Sequence, residues 1–466
     1  MNRPLSLGWL LVLAVALCSL ASTGPRHHRA PQDPQQDPRQ DPSPRQAPTE
    51  LAGRDCSTAG CHDDYQRGAS VHAPVRDGQC GACHQPSGDP EQHAFEPITL
   101  ATIPGTCHEC HPREEPRHQH FPYRTGLCTQ CHDPHRSDHP TLFRRKNDGS
   151  LCFQCHDREH IQKSKQAHGP VAVGACTLCH DVHGSDERQF LRAPRTDLCV
   201  SCHESMGRHI AAAEVRHPPV QQSCPNCHDP HGTDNGMHLK HTVPELCFGC
   251  HEDIRRLAQE SHTPHGAIRE PRSCLNCHNP HGAHRPKLLE DVPMTLCLKC
   301  HQKPLGKLVG IGEHLEKYTD HHGPIREGAC PNCHNPHGSD NFRMLVRHYE
   351  PEFYTQRFEL AEFSLCFGCH EQERVLEKYT DKVTGFRQGD RNLHYVHVNR
   401  DRKGRTCRAC HDVHGSQHPF HIRDSVPFGI WDLPTNYEPL ATGGRCTPGC
   451  HVTREYDRTG SRDKKY

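Results

Sequence analysis

The apolar residues of this 466-residue chain gather into one block and are otherwise scattered. The block, residues 5–20, follows Arg3 and ends in Ser19-Leu20-Ala21, the charge, apolar run and small-residue order of a secretory signal over residues 1–21. It is too short and too near the terminus to read as a membrane span. Cys18 raises a lipoprotein alternative, against which Leu17 stands where a small residue is wanted. Residues 22–50 follow as a linker in which Gln32-Asp33-Pro34, Gln36-Asp37-Pro38 and Gln40-Asp41-Pro42 recur with no apolar face. That pattern predicts an extended, solvated tether, with His27 and His28 inert. Beyond residue 50 helical periodicity is short-lived. It predicts brief helices at residues 254–261, 305–318 and 358–382 and around the cysteine motifs, and no set of alternating strands with turn signals. The expected fold class is mostly irregular with short α-helices.

Composition sharpens this. With 33% hydrophobic residues, 40 prolines and 36 glycines, and a mean hydropathy of −0.86, side chains alone cannot bury enough apolar surface to offset conformational entropy. The 31 cysteines and 46 histidines change that balance. They are organised as in Cys224-Pro225-Asn226-Cys227-His228-Asp229-Pro230-His231-Gly232. C-x-x-C-H reads as covalent c-type haem attachment: two sulfurs one turn apart add to the haem, and the following histidine binds iron from the proximal side. His231, three residues on, points the same way as His228 and cannot reach the far face of that haem. It is free to ligate the iron of a neighbour.

Thirteen regular motifs use Cys80 and Cys83, Cys107 and Cys110, Cys128 and Cys131, Cys152 and Cys155, Cys176 and Cys179, Cys199 and Cys202, Cys224 and Cys227, Cys247 and Cys250, Cys274 and Cys277, Cys297 and Cys300, Cys330 and Cys333, Cys366 and Cys369, and Cys407 and Cys410. Their proximal histidines are His84, His111, His132, His156, His180, His203, His228, His251, His278, His301, His334, His370 and His411. Two stretched motifs, Cys56-x4-Cys61-His62 and Cys446-x3-Cys450-His451, complete a set that uses all 30 cysteines beyond Cys18. Zinc ribbons or disulfides would leave unexplained why a histidine follows every second cysteine. About fifteen haem c groups, each with its iron, are expected. Haems, being large and flat, would supply the missing core, and folding would depend on them. Their propionates would make the holoprotein acidic, offset where some of the 55 Lys and Arg residues pair with them.

The motifs repeat in pairs. Units beginning at Cys128, Cys176, Cys224, Cys274, Cys330 and Cys407 carry a tail histidine three residues after the proximal one: His135, His183, His231, His281, His337 and His414. A plain second motif follows each, preceded by Leu151, Leu198, Leu246, Leu296 or Leu365, and by Arg445 in the last. A leading histidine precedes each unit: His120, His168, His217, His265, His322 and His397. His72 stands similarly before Cys80. These thirteen are the candidate distal ligands. His93, His108 and His118 are weaker ones, and His394, His418 and His421 could replace or supplement His397. Residues 51–119 form an N-terminal three-haem segment, residues 120–451 six doubled repeats, and residues 452–466 a charged tail. Insertions at residues 342–363 and 419–437 hold Tyr349, Tyr354, Phe420, Phe428 and Trp431, expected to pack over haem edges or, alternatively, to dock a redox partner.

These features resemble the multihaem c-type cytochromes with doubled C-x-x-C-H repeats, strongly over residues 120–451 and more loosely over residues 56–119. The resemblance implies an elongated, haem-cored array of closely spaced, mostly bis-histidine haems in periplasmic or extracellular respiration. An exported chain is expected, periplasmic or at the outer membrane. Its implied partners are other redox proteins, quinol-linked or outer-membrane cytochromes, with an outer-membrane porin or self-assembly as further possibilities. A net charge of −1 gives no sign of a nucleic-acid partner. An electron carrier, rather than an enzyme with catalytic residues, is the primary reading. The alternatives are a reductase of nitrogen or sulfur oxyanions with one open haem, and a subunit of a cytochrome polymer.

Overall fold

The computed structural model describes residues 56–57, 62–88 and 93–463. The secretory signal, the linker and Cys61 lie outside the described residues. Residues 84–88 and 93–96 belong to a small unit of their own, where Pro86 bridges Phe95 and the rings of His84 and His93 lie against Phe95. The rest of the described chain is one larger unit.

That unit is mostly irregular, with helices of one or two turns and two-residue strand pairs. One module recurs. A two- or three-residue extended segment leads into a histidine at the N-cap of a short turn, as at His72, His120, His168, His217 and His322. A proline occupies the first or second position of each of these turns, where its fixed φ suits a helix start and its missing N–H costs nothing. The turn ends, in the module led by His168, at Gly174 in the left-handed region, and the attachment motif follows. Most regular motifs form a turn in which the histidine N–H donates to the first cysteine's carbonyl, as from His228 to Cys224 at 3.1 Å.

Modules are stitched head to tail. The extended segment before one leading histidine pairs antiparallel with the segment just after the tail histidine of the next module. Ser70 pairs with Ser137, His118 with Ser185, Ala167 with Gly232, Val215 with Ala283, Thr263 with Ser339, and Asp320 with Ser416. Aspartates Asp186, Asp234 and Asp340 reinforce this, each accepting a backbone N–H from the paired segment. At most stitches a glycine follows the tail histidine, while Arg136 stands there in the first. At Gly232, with φ +120°, an added Cβ would stand 2.4 Å from the Gln166 carbonyl oxygen.

Among the described residues, the apolar side-chain cluster lies towards the C-terminus, where Phe363, Val375 and Val398 are buried together against Phe358, Leu360, Phe367 and Cys407. The helices expected from sequence are present, the second shorter and the third broken into pieces. Residues 254–261 lie within Glu252–Glu260 plus its cap, residues 305–318 contain Ile311–Lys317, and residues 358–382 break into Leu360–Phe363, Cys366–Gly368 and Glu373–Leu376. Helix Pro293–His301 spans the Cys297 motif, as expected around the cysteine motifs, and helix Glu204–Ala212 directly follows His203.

The expectation that strands are absent fails at the C-terminus. Ser425–Phe428 and Trp431–Pro434 form a hairpin, and Tyr437–Leu440, Gly443–Cys446 and Arg454–Asp457 a three-stranded sheet. Pro427, Pro434 and Pro439 hid these strands, since proline argues against a central strand but is tolerated on an edge. The charged tail is thus partly an edge strand. Of the aromatics in the insertions, Tyr354 and Phe428 pack with Phe353, whereas Phe420 and Trp431 are exposed. Among the described residues no helix is long and apolar enough to cross a membrane.

Candidate haem-ligating histidines

The motif turns place their histidines in register with the spare ones. Each leading histidine except His397 faces the proximal histidine of the second motif in its own module. His72 and His111 have ring centres 5.9 Å apart, His120 and His156 6.0 Å, His168 and His203 6.1 Å, His217 and His251 6.2 Å, His265 and His301 6.2 Å, and His322 and His370 6.0 Å. Tail histidines instead reach back one module. His183 faces His132 at 6.1 Å, His231 faces His180 at 6.3 Å, His281 faces His228 at 6.0 Å, His337 faces His278 at 6.1 Å, and His414 faces His334 at 6.3 Å. His394 faces His411 at 6.4 Å. Ring planes differ by 10–23° in all of these except His132 and His183, at 41°.

This spacing is a test of fit for iron. Two metal–imidazole bonds of about 2.0 Å, with about 1.1 Å from each nitrogen to its ring centre, add to ~6.2 Å. Among the described residues no group of three or more His, Cys, Asp or Glu forms a metal site of its own. Pairs of imidazoles, which leave the equatorial positions to a macrocycle, are what the chain supplies. Burial favours the neutral, ligating form: it pushes His414 down to about 4 and His394 down to about 3.

Backbone groups fix the rings. The Asp or Asn after each first-motif proximal histidine accepts the backbone N–H of the tail histidine, as Asp229 does from His231 at 3.0 Å and Asn335 from His337 at 3.1 Å. This Asx turn explains that sequence position. The proximal rings of the first motifs hydrogen-bond through Nδ1 to a carbonyl nine residues on: His132 to Thr141, His180 to Gln189, His228 to Met237, His278 to Lys287, His334 to Arg343, and His411 to Phe420, at 2.8–3.0 Å. A carbonyl can only accept, so Nδ1 carries the proton and Nε2 is left as the lone-pair nitrogen. Sequence reasoning missed these carbonyls. The weak signal available was an apolar residue eleven positions after each proximal histidine: Phe143, Leu191, Leu239, Leu289, Leu345 and Ile422, each bridged to it.

Attachment sites adjoin in sequence order. Inside a module the second cysteines approach: Cys83 and Cys110, Cys131 and Cys155, Cys179 and Cys202, Cys227 and Cys250, Cys277 and Cys300, Cys333 and Cys369, and Cys410 with Cys446 and Cys450. Between modules the first cysteines meet: Cys107 and Cys128, Cys152 and Cys176, Cys199 and Cys224, Cys247 and Cys274, Cys297 and Cys330, and Cys366 and Cys407, all within hydrogen-bonding reach.

Several sequence candidates are placed differently. His135 lies against Tyr65, ring centres 4.8 Å apart. His397 lies flat on Phe386 at 5.5 Å, near enough to His451 for an electrostatic effect but not at the pair spacing. His394, three residues earlier on the helix Leu393–Val398, takes the pairing instead. His418 and His421 bond Asp424 and Asp320, and His108 bonds the His111 carbonyl.

No curated protein matches the chain. The family described as "Doubled CXXCH motif" matches residues 72–116, 120–160, 168–208, 217–256, 265–305 and 322–375, more than half of the chain. The first match joins the Cys80 and Cys107 motifs into one doubled unit. Six matches in phase with the paired histidines make this chain a member of the doubled CXXCH family, a multihaem c-type cytochrome whose motifs attach haem c covalently.

Proposed function

We propose that the protein carries electrons along a row of haems, mostly bis-histidine, with the paired histidines above as axial ligands. The observation that carries this is the unbroken succession of adjoining attachment sites from Cys83 to Cys450. Each iron, when bound, supplies a one-electron ferric–ferrous couple. The chain's own part is to hold two neutral imidazoles in line at each site, closing both axial positions to substrate. The same reading assigns His135 to an iron near the N-terminus and His397 to the iron of His451, and sets the total at fifteen haems with both stretched motifs loaded. Cytochromes of this kind are typically exported, which fits a periplasmic or outer-surface role beside other redox proteins.

The test is voltammetry of the holoprotein adsorbed on an electrode. A conduit should exchange electrons through its full haem complement and give no catalytic current with nitrite, hydroxylamine or sulfite. Exchange confined to a few haems, or a catalytic wave, would replace the conduit with the reductase reading.

A further inference from the structure

The carbonyls that hold the first-motif proximal histidines come from an unusual piece of backbone. In each module two consecutive residues adopt left-handed φ: Thr141 and Leu142, Gln189 and Phe190, Met237 and His238, Lys287 and Leu288, Arg343 and Met344, Phe420 and His421, all between +54° and +62°. None is glycine, asparagine or aspartate, the residues that visit this region at low cost. Six repeats of the same strained pair point to a shared purpose.

Hydrogen bonds supply it. Two successive left-handed residues aim consecutive carbonyls to the same side. The first accepts the Nδ1–H of the proximal histidine, as from His228 to Met237 at 2.8 Å. The second accepts the backbone N–H of the next residue, as from Asp229 to His238 at 2.8 Å. The loop thus clamps ring and peptide together. The second-motif proximal histidines His111, His156, His203, His251, His301 and His370 make no such bond among the described residues. There the bond sits on the facing leading histidine in four pairs: His72 to Pro134, His120 to Val182, His168 to Pro230 and His265 to Pro336. Most ring pairs therefore hold one carbonyl-bonded imidazole, on the proximal side in first motifs and on the leading side in second motifs.

We infer that the left-handed loops are positioning elements that set the reduction potential of the first-motif haems, resting on the reading that these imidazoles bind iron. A carbonyl on Nδ1–H makes the ring a stronger donor, stabilises ferric iron and lowers the potential. The loop carries no ligand of its own. Met237→Pro in the holoprotein forces φ to about −65° and swings the Met237 carbonyl away from His228.

The expected result is an unchanged haem count, an unchanged low-spin spectrum and one haem titrating at higher potential. Met237→Gly, which keeps the left-handed φ, should overlay the parent. If the proline variant loses haem, Met237→Val decides the same question, since a β-branched residue also resists that φ without a proline ring. A titration of the proline or valine variant that overlays the parent overturns the inference. Failure of the ligation reading is separately visible: His228→Ala would then leave every haem low-spin.

Discussion

A single peptide joins two of the ring pairs. His231 faces His180, while its backbone carbonyl accepts the N–H of His168, and the preceding Pro230 carbonyl accepts from His168 Nδ1 at 3.0 Å. His168 in turn faces His203. Removing the His231 ring by His231→Ala should leave the haem at Cys224 and Cys227 attached and ligated by His228, and convert one other iron, that of His180, to high-spin. Haem-staining and mass should be unchanged, and a spectrum identical to the parent would make His231 a surface residue. The neighbouring glycine gives a stability test. Gly232→Ala drives a Cβ against the Gln166 carbonyl and should cost the holoprotein on the order of 1–3 kcal/mol in denaturant melts. Gly236→Ala, where a Cβ meets nothing within 4 Å, is the control. Equal melts would mean that head-to-tail stitching contributes little.

At the scale of the element, the Asx turn decides where the tail histidine points. Asp229→Ala strands the His231 N–H and should cost about 1 kcal/mol. It should also leave part of the His180 iron high-spin, whereas Asp229→Asn should behave as the parent, since Asn279 and Asn335 already fill this position. Resonance Raman spin-state populations measure both. Such elements were unequally legible. Tail and leading histidines could be read because their side chains recur at fixed spacing from the motifs. The left-handed loops could not, because backbone carbonyls do their work and their residues share no chemistry. His394 was legible only as an alternative to His397, because the stretch between Cys366 and Cys407 breaks the module spacing and puts the two histidines one turn apart. The C-terminal sheet escaped because its prolines, harmless at edges, read as strand breakers.

At the scale of the whole molecule, the apolar cluster among the described residues sits around Phe363, and elsewhere buried apolar side chains such as Phe248 and Leu296 are scattered, so those modules hold together largely through short strand pairs and ring-to-carbonyl bonds. Two-residue strand pairs are not independently stable. The chain made without haem attachment should therefore lack a cooperative melting transition and be cut rapidly by protease, and a cooperatively folding apoprotein would contradict haems as the core. The haem total is read by intact mass. Fifteen additions are expected, and thirteen would mean that the motifs at Cys56 and Cys446 stay empty. The central claim, however, is that paired imidazoles close both faces of most of the irons. Electron paramagnetic resonance of the oxidised holoprotein, with spins counted against total haem, tests it most directly. The twelve ring pairs require at least twelve low-spin haems per chain. A spectrum in which high-spin iron accounts for most of the haem would contradict the account.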